Sequence, residues 1–167
     1  MKKISIVFAF VLCVTISTYA QEGFAIKAGL NNVSVDLDLG EFGSDSDSEL
    51  GFYIGGGYNF EIDDQWDIEP SLLLSFVDDL NSLYIPVMVK YEVATNFNVQ
   101  AGPQVNYLLE DTDDGAFGLD LAFGAGYQID ANWFVEGRYG FEVSRGGDFG
   151  DAVSFNTLTI GAGYRFN

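Results

Sequence analysis

The chain contains no histidine in 167 residues. That absence removes Ser-His-Asp hydrolysis, imidazole acid–base work and most zinc sites. Its one cysteine, Cys13, lies in an N-terminal apolar run, so the rest of the chain offers neither a disulfide framework nor thiol chemistry. Basic residues are scarce: 7 Lys and Arg stand against 25 Asp and Glu, a net charge of −18. A chain this acidic repels nucleic acid. Beyond the N-terminal run, no stretch approaches the ~20 apolar residues of a membrane helix. Carboxylates and serines are plentiful but show no diagnostic spacing, so the sequence predicts no enzyme and no cofactor.

The N-terminus has the build of a secretory signal peptide. Lys2 and Lys3 precede the short apolar run Ile4 to Ile16, and Ser17-Thr18-Tyr19-Ala20 offers small residues before a cleavage point after Ala20. Leu12 stands before Cys13 where a lipoprotein signal would want a small residue, which argues against lipidation. The expected division is residues 1–20 as signal peptide and 21–167 as one domain. The mature chain would keep 5 basic residues against 25 acidic ones, a net charge of −20.

What is abundant is alternation. In Phe52-Tyr53-Ile54-Gly55-Gly56-Gly57-Tyr58-Asn59-Phe60-Glu61-Ile62, the residues Phe52, Ile54, Tyr58, Phe60 and Ile62 point one way, and Tyr53, Asn59 and Glu61 the other. Period two means strands with one apolar and one polar face. Eight such segments are predicted, at roughly 22–32, 51–62, 66–76, 83–93, 97–108, 119–129, 133–143 and 156–166. The connections 63–65, 94–96 and 130–132 are tight turns. Residues 33–50, 109–118 and 144–155 read as long acidic loops, and 77–82 as an intermediate one. Short turns at one end and long loops at the other is the layout of a membrane barrel, with the short turns periplasmic. Strands of about 11 residues at ~3.3 Å each, tilted ~40°, rise about 28 Å, close to the ~25 Å apolar band of such a barrel. The fold class predicted is all-β: an eight-stranded antiparallel up-and-down transmembrane β-barrel.

The apolar face carries no charge in any strand, as a lipid face requires. Its aromatics fall into two belts. Phe24, Phe60, Trp66, Tyr91, Phe97, Tyr127, Trp133, Tyr164 and Phe166 lie near the short turns; Phe52, Phe76, Tyr107 and Phe141 lie near the loops. All three prolines, Pro70, Pro86 and Pro103, fall inside strands, where each removes a ladder donor, so bulges are expected there.

On the polar face, Lys27, Lys90, Arg138 and Arg165 are the only basic residues within the predicted strands. Glu61, Asp67, Glu69, Glu92 and Glu136 share that face. Charges enclosed in a narrow barrel should pair, because an unpaired buried charge is costly. These nine residues are therefore expected to form a structural ion-pair network filling the lumen, with glycines making room for the long side chains. In the loops, Asp45-Ser46-Asp47-Ser48-Glu49 and Asp111-Thr112-Asp113-Asp114-Gly115 start like calcium loops, but neither completes the twelve-residue pattern. Weak divalent-cation binding is the most expected of them.

Several stretches resemble the small outer-membrane β-barrel domain proteins, of OmpA/OmpX-like build and often labelled porin-like. They are Lys27-Ala28-Gly29-Leu30-Asn31, Ile85-Pro86-Val87, Phe123-Gly124-Ala125-Gly126-Tyr127 and Gly137-Arg138-Tyr139. The segment from Thr159 to Phe166, with Thr159, Gly161, Tyr164 and Phe166, resembles the C-terminal signal read by the barrel-assembly machinery. The resemblance covers residues 21–167. It implies the outer membrane of a Gram-negative cell, with outer-membrane lipid and the assembly machinery as partners, but no reaction.

Three functions remain open from the sequence. The first is a structural or surface-interaction barrel whose loops carry specificity. The second is a narrow channel for small solutes. The third is a soluble periplasmic lipocalin-like binder, with the apolar face turned inward around an apolar ligand.

Overall fold

A computed structural model describes residues 23–38, 44–78, 81–109, 117–145 and 153–166. The expected signal peptide and the Asp111–Gly115 run lie outside the described residues. Among the described residues there are nine strand segments: β1 (Phe24–Asp38), β2 (Ser44–Tyr58), β3 (Phe60–Glu61), β4 (Trp66–Phe76), β5 (Ser82–Ala94), β6 (Phe97–Leu108), β7 (Phe117–Gln128), β8 (Trp133–Arg145) and β9 (Val153–Arg165). They make eight staves, because β2 and β3 are one stave interrupted at Asn59. Both pair with β4 in the same register, Gly57 opposite Ser71 and Phe60 opposite Ile68. In that register Pro70, which has no N–H to give, stands opposite Tyr58, beside the gap.

Each stave runs antiparallel to its neighbours in the chain, and β1 also pairs with β9 from Ala25–Arg165 to Leu37–Val153, which closes the barrel. Closure leaves no sheet edge in the lipid, the condition for strands to span it.

The alternation sets the faces as the sequence predicts. Ile26, Leu30, Phe52, Leu72, Ile85, Phe123, Val135, Leu158 and Ile160 are among the large apolar residues exposed on the outside. The buried residues include Lys27, Glu69, Lys90, Glu136, Arg138 and Asp120. The polar side is therefore the inside, which overturns the lipocalin-like reading.

Two of the predicted loops prove shorter. The segment 33–50 is largely strand: β1 runs on to Asp38 and β2 begins at Ser44, paired residue for residue. Val33, Val35 and Leu37 alternate with polar residues and continue the ladder; the Ser/Asp-rich composition of its partner disguised this. Arg145 likewise belongs to β8, not to a loop. The register shifts lie between Glu92 and Ala94 and between Leu119 and Asp120, so neither falls at a proline.

Two of the three short turns repeat one device. In Ile62-Asp63-Asp64-Gln65-Trp66 the Asp63 carboxylate accepts from the backbone N–H of Gln65 and of Trp66, each at 2.9 Å. In Ile129-Asp130-Ala131-Asn132-Trp133 the Asp130 carboxylate accepts from Asn132 and Trp133, each at 2.8 Å. Those N–H groups depress the Asp130 carboxyl below its ordinary value, that of Trp133 most. Each turn delivers a Trp onto a cross-strand Tyr at the rim: Trp66 on Tyr91 at 4.6 Å and Trp133 on Tyr164 at 5.3 Å between ring centroids.

Candidate functional site

The lumen holds two polar networks and, at the short-turn end, an open vestibule. The first network lies where β1, β4, β5 and β8 turn their polar residues inward. Lys27 Nζ donates to Glu69 and, at 3.1 Å, to Glu136. Lys90 Nζ donates to the other Glu69 oxygen at 2.7 Å. Arg138 donates to Glu136. The Lys27 and Glu69 side chains are wholly buried.

Three cations thus face two carboxylates. The imbalance is met by an aromatic ring. Phe134 points inward between the outward-facing Trp133 and Val135, and it lies 5.5 Å from Lys27 Nζ, 5.7 Å from Lys90 Nζ and 5.5 Å from the Arg165 guanidinium. The ring's negative face attracts cations without being a charge itself.

The second network was not foreseen. Asp120 accepts from Gln104 at 2.8 Å and from Asn106 at 2.6 Å. Arg145 donates to Asn106 at 3.1 Å and to Glu142 at 2.6 Å, and it covers the Phe155 ring at 4.2 Å. The register shift at Leu119/Asp120 explains the omission of Arg145, while Asp120, Gln104 and Asn106 keep the ordinary inward parity. Asp120 pairs with Glu142 whereas Leu119 pairs with Ser144, so Val143 is an extra residue. One extra residue reverses the alternation, and Arg145 joins Glu142 on the inside. Between the networks, Tyr53, Leu73 and Tyr84 form a small apolar cluster.

Of the nine charges predicted for the lumen network, five form it: Lys27, Glu69, Lys90, Glu136 and Arg138. Glu61, Asp67 and Glu92 are corrected to the vestibule wall, since they lie beyond the buried section of their strands. Arg165 reaches Phe134 rather than a carboxylate. The glycines also differ from expectation. A Cβ on Gly124 would strike Arg138, but one on Gly163 would strike the Phe134 ring and one on Gly161 the Tyr53 hydroxyl. Most of the room is made for neutral groups.

The vestibule is a cavity of about 1010 Å³ ringed by the short turns, Gly23 and Arg165. Lys90 and Arg165 form part of its wall.

On the C-terminal strand, Thr159 and Gly161 lie on the inward register, while Tyr164 and Phe166 lie on the outward one. Tyr164 stacks edge-on against Phe166 at 5.0 Å, and the Phe166 N–H donates to the Phe24 carbonyl at 2.8 Å.

The sequence profile of the outer membrane protein beta-barrel domain matches residues 6–166. The chain belongs to that family. It is thus an outer-membrane β-barrel, and the outer membrane is its location. A search of curated protein sequences finds no match. Solved barrels of this family's build share the fold. Neisserial surface protein A (NspA) is 14% identical with a TM-score of 0.58, over 87% of this chain and 98% of that one. Ail, the attachment invasion locus protein of Yersinia pestis, is 18% identical with a TM-score of 0.52, over 87% and 99%. A de novo designed transmembrane β-barrel gives 14% and 0.54, over 86% and 95%. Identities this low speak for the fold alone. Among the described residues of this family member, no cluster of carboxylates is gathered as a metal centre.

Proposed function

We propose that this outer-membrane barrel has a structural or surface-interaction role, with its specificity outside the membrane. The observation that carries the reading is the wholly buried Lys27–Glu69 pair with Glu136, Lys90 and Arg138 around it. An eight-stranded barrel is only wide enough to be filled by side chains, and these fill it with mutually bonded charge. Solute passage would require breaking the pairs. The parts free to engage a partner are the loop-end extensions, above all the β1–β2 hairpin. No catalysis is assigned.

The loop end faces the cell exterior and the short turns face the periplasm, following the rule for such barrels. Outer-membrane lipid covers the apolar wall. The barrel-assembly machinery reads β9 through Thr159, Gly161, Tyr164 and Phe166. Any divalent-cation binding at the acidic loops is weak. One Ail structure was solved with the heparin analogue sucrose octasulfate; a net charge of −18 speaks against a polyanion here.

Planar-bilayer recording tests the reading against the channel. The folded barrel is expected to pass no steady current. Resolved unitary conductance whose ion selectivity changes in Lys90→Glu would make the lumen the working part. Deletion of residues 39–43 with 146–152 should abolish partner binding while the barrel still folds.

A further inference from the structure

We propose that the loop-end extension built by β2, β1 and β9 is a hinged tongue, held to the barrel wall by a latch that Glu142 and Arg145 close on Phe155. The seam between β8 and β9 is a regular ladder up to Gly140, which pairs with Thr157. Beyond that pair the two strands take separate neighbours. β8 stays with β7 as far as Arg145 opposite Gly118, and β9 stays with β1 as far as Val153 opposite Leu37. Residues 141–145 and 153–156 are strand on both sides of the seam, yet among the described residues no ladder pair joins them. The other flank is built alike. β2 pairs with β4 only from Gly57 to Phe52, while it pairs with β1 up to Ser44. Ladder bonds thus hold the extension together and join it to the wall at its base.

Side chains span the β8–β9 seam where the ladder stops. The register, carried two residues past Gly140 and Thr157, sets Glu142 opposite Phe155. The Phe155 N–H donates to Glu142 Oε2 at 3.3 Å. The same carboxylate accepts from Arg145 Nε at 2.9 Å and from Nη2 at 2.6 Å. The Arg145 guanidinium in turn lies over the Phe155 ring at 4.2 Å. One ion pair on the wall therefore grips one residue of the extension twice, by its main chain and by its ring. Arg145 also donates to Asn106 Oδ1 at 3.1 Å, which ties the latch to the wall. The extra residue at Val143 is what makes this possible. With unbroken alternation Arg145, three residues on from Glu142, would face outward.

A part joined to its surroundings by few ladder bonds opens at lower free energy than the rest. Complete ladders inside the extension make the expected motion a hinge at its base rather than fraying. The inference adds a moving part to the surface-interaction reading without depending on it, since the latch is measured with no partner present.

The test is the distance between paired spin labels in the barrel refolded from residues 21–167, which contain no cysteine. Ser34→Cys/Leu119→Cys spans extension and wall; Ser34→Cys/Leu50→Cys lies within the extension. Glu142→Gln is expected to raise the ratio of displaced to latched extension about tenfold, as loss of one charge-assisted contact implies. The distance inside the extension should stay unchanged. Phe155→Leu keeps the ion pair and should raise the ratio about threefold, in line with loss of one cation–π contact; it decides the matter if Glu142→Gln fails to fold. Unchanged distances in the folded variants would show an extension held without the latch. Broadening of both label pairs together would show local unravelling in place of a hinge. Either result overturns the proposal.

Discussion

Lys27 has two carboxylate partners inside the barrel, and each of those carboxylates has a second cation. Removing Lys27 therefore leaves Glu69 and Glu136 partly uncompensated rather than bare. Lys27→Met should lower stability by about 3 kcal/mol, at the low end for breaking a buried pair. Lys27→Met/Glu136→Gln should recover part of that, since the stranded charge goes with it. Urea unfolding in micelles checks both. Gly163 offers a different kind of test. A methyl there would enter the space of the Phe134 ring, so Gly163→Ala should cost about 1–3 kcal/mol as overpacking. Adding Phe134→Leu should relieve it, giving a non-additive double-mutant cycle. Phe134 shows how far alternation alone can be read. Its parity puts it inside with the charges, which the sequence allowed; that it serves three cations at once follows only from the closed barrel.

Strands and turns repeat the lesson with other causes. Outward apolar parity was legible in every stave, because lipid tolerates no exception to it. Strand ends were not. The β1–β2 extension is rich in Ser and Asp and reads as loop, yet pairing continues through it to Asp38 and Ser44. Arg145 was missed because the extra residue at Val143 shifts the phase, and no period-two reading anticipates a bulge. The short turns were legible in place but not in their bonding. Asp130 is a fully exposed carboxylate held below its ordinary value of 3.8 by two backbone N–H groups. A carboxyl depressed in the folded state stabilises fully above its unfolded value, and that contribution is lost as pH falls through the folded one. The barrel should accordingly lose stability on acidification below about pH 4, and Asp130→Ala should shallow that acid limb. Denaturant midpoints measured from pH 6 down to pH 2 would reveal it; an unchanged slope would show that the turn does not depend on the charge.

At the scale of the whole molecule, the charge is as uneven as the faces. The two buried networks together hold four cations and four carboxylates, while the chain as a whole stands at −18. The excess negative charge therefore lies outside them, toward the strand ends and the connections. A polyanion should find no foothold. Sucrose octasulfate, titrated against the micellar barrel at low salt, is expected to produce no heat above dilution, and charge-neutralising loop variants should not create binding by themselves. Architecture, membrane location and the identity of the lumen face were readable from composition and period. The division of the polar face into plug, second network and vestibule was not, because depth along the barrel axis depends on register, and register is set by pairs far apart in the chain.

The pairing of β1 with β9 brings Gly23 N to 3.3 Å from the Phe166 carbonyl. Topologically the described staves are a ring missing one link, and the location of the missing link is independent of the shape. A circular permutant that joins 166 to 23 through a short linker and opens between Leu109 and Phe117 has the same staves in the same cyclic order. Such a chain should refold into micelles like the parent. Delivered to a cell it would end on β6 instead of β9, and at the loop end of the barrel instead of the short-turn end. Normal refolding with failed delivery would separate closing the ring from the proposed recognition of its last strand.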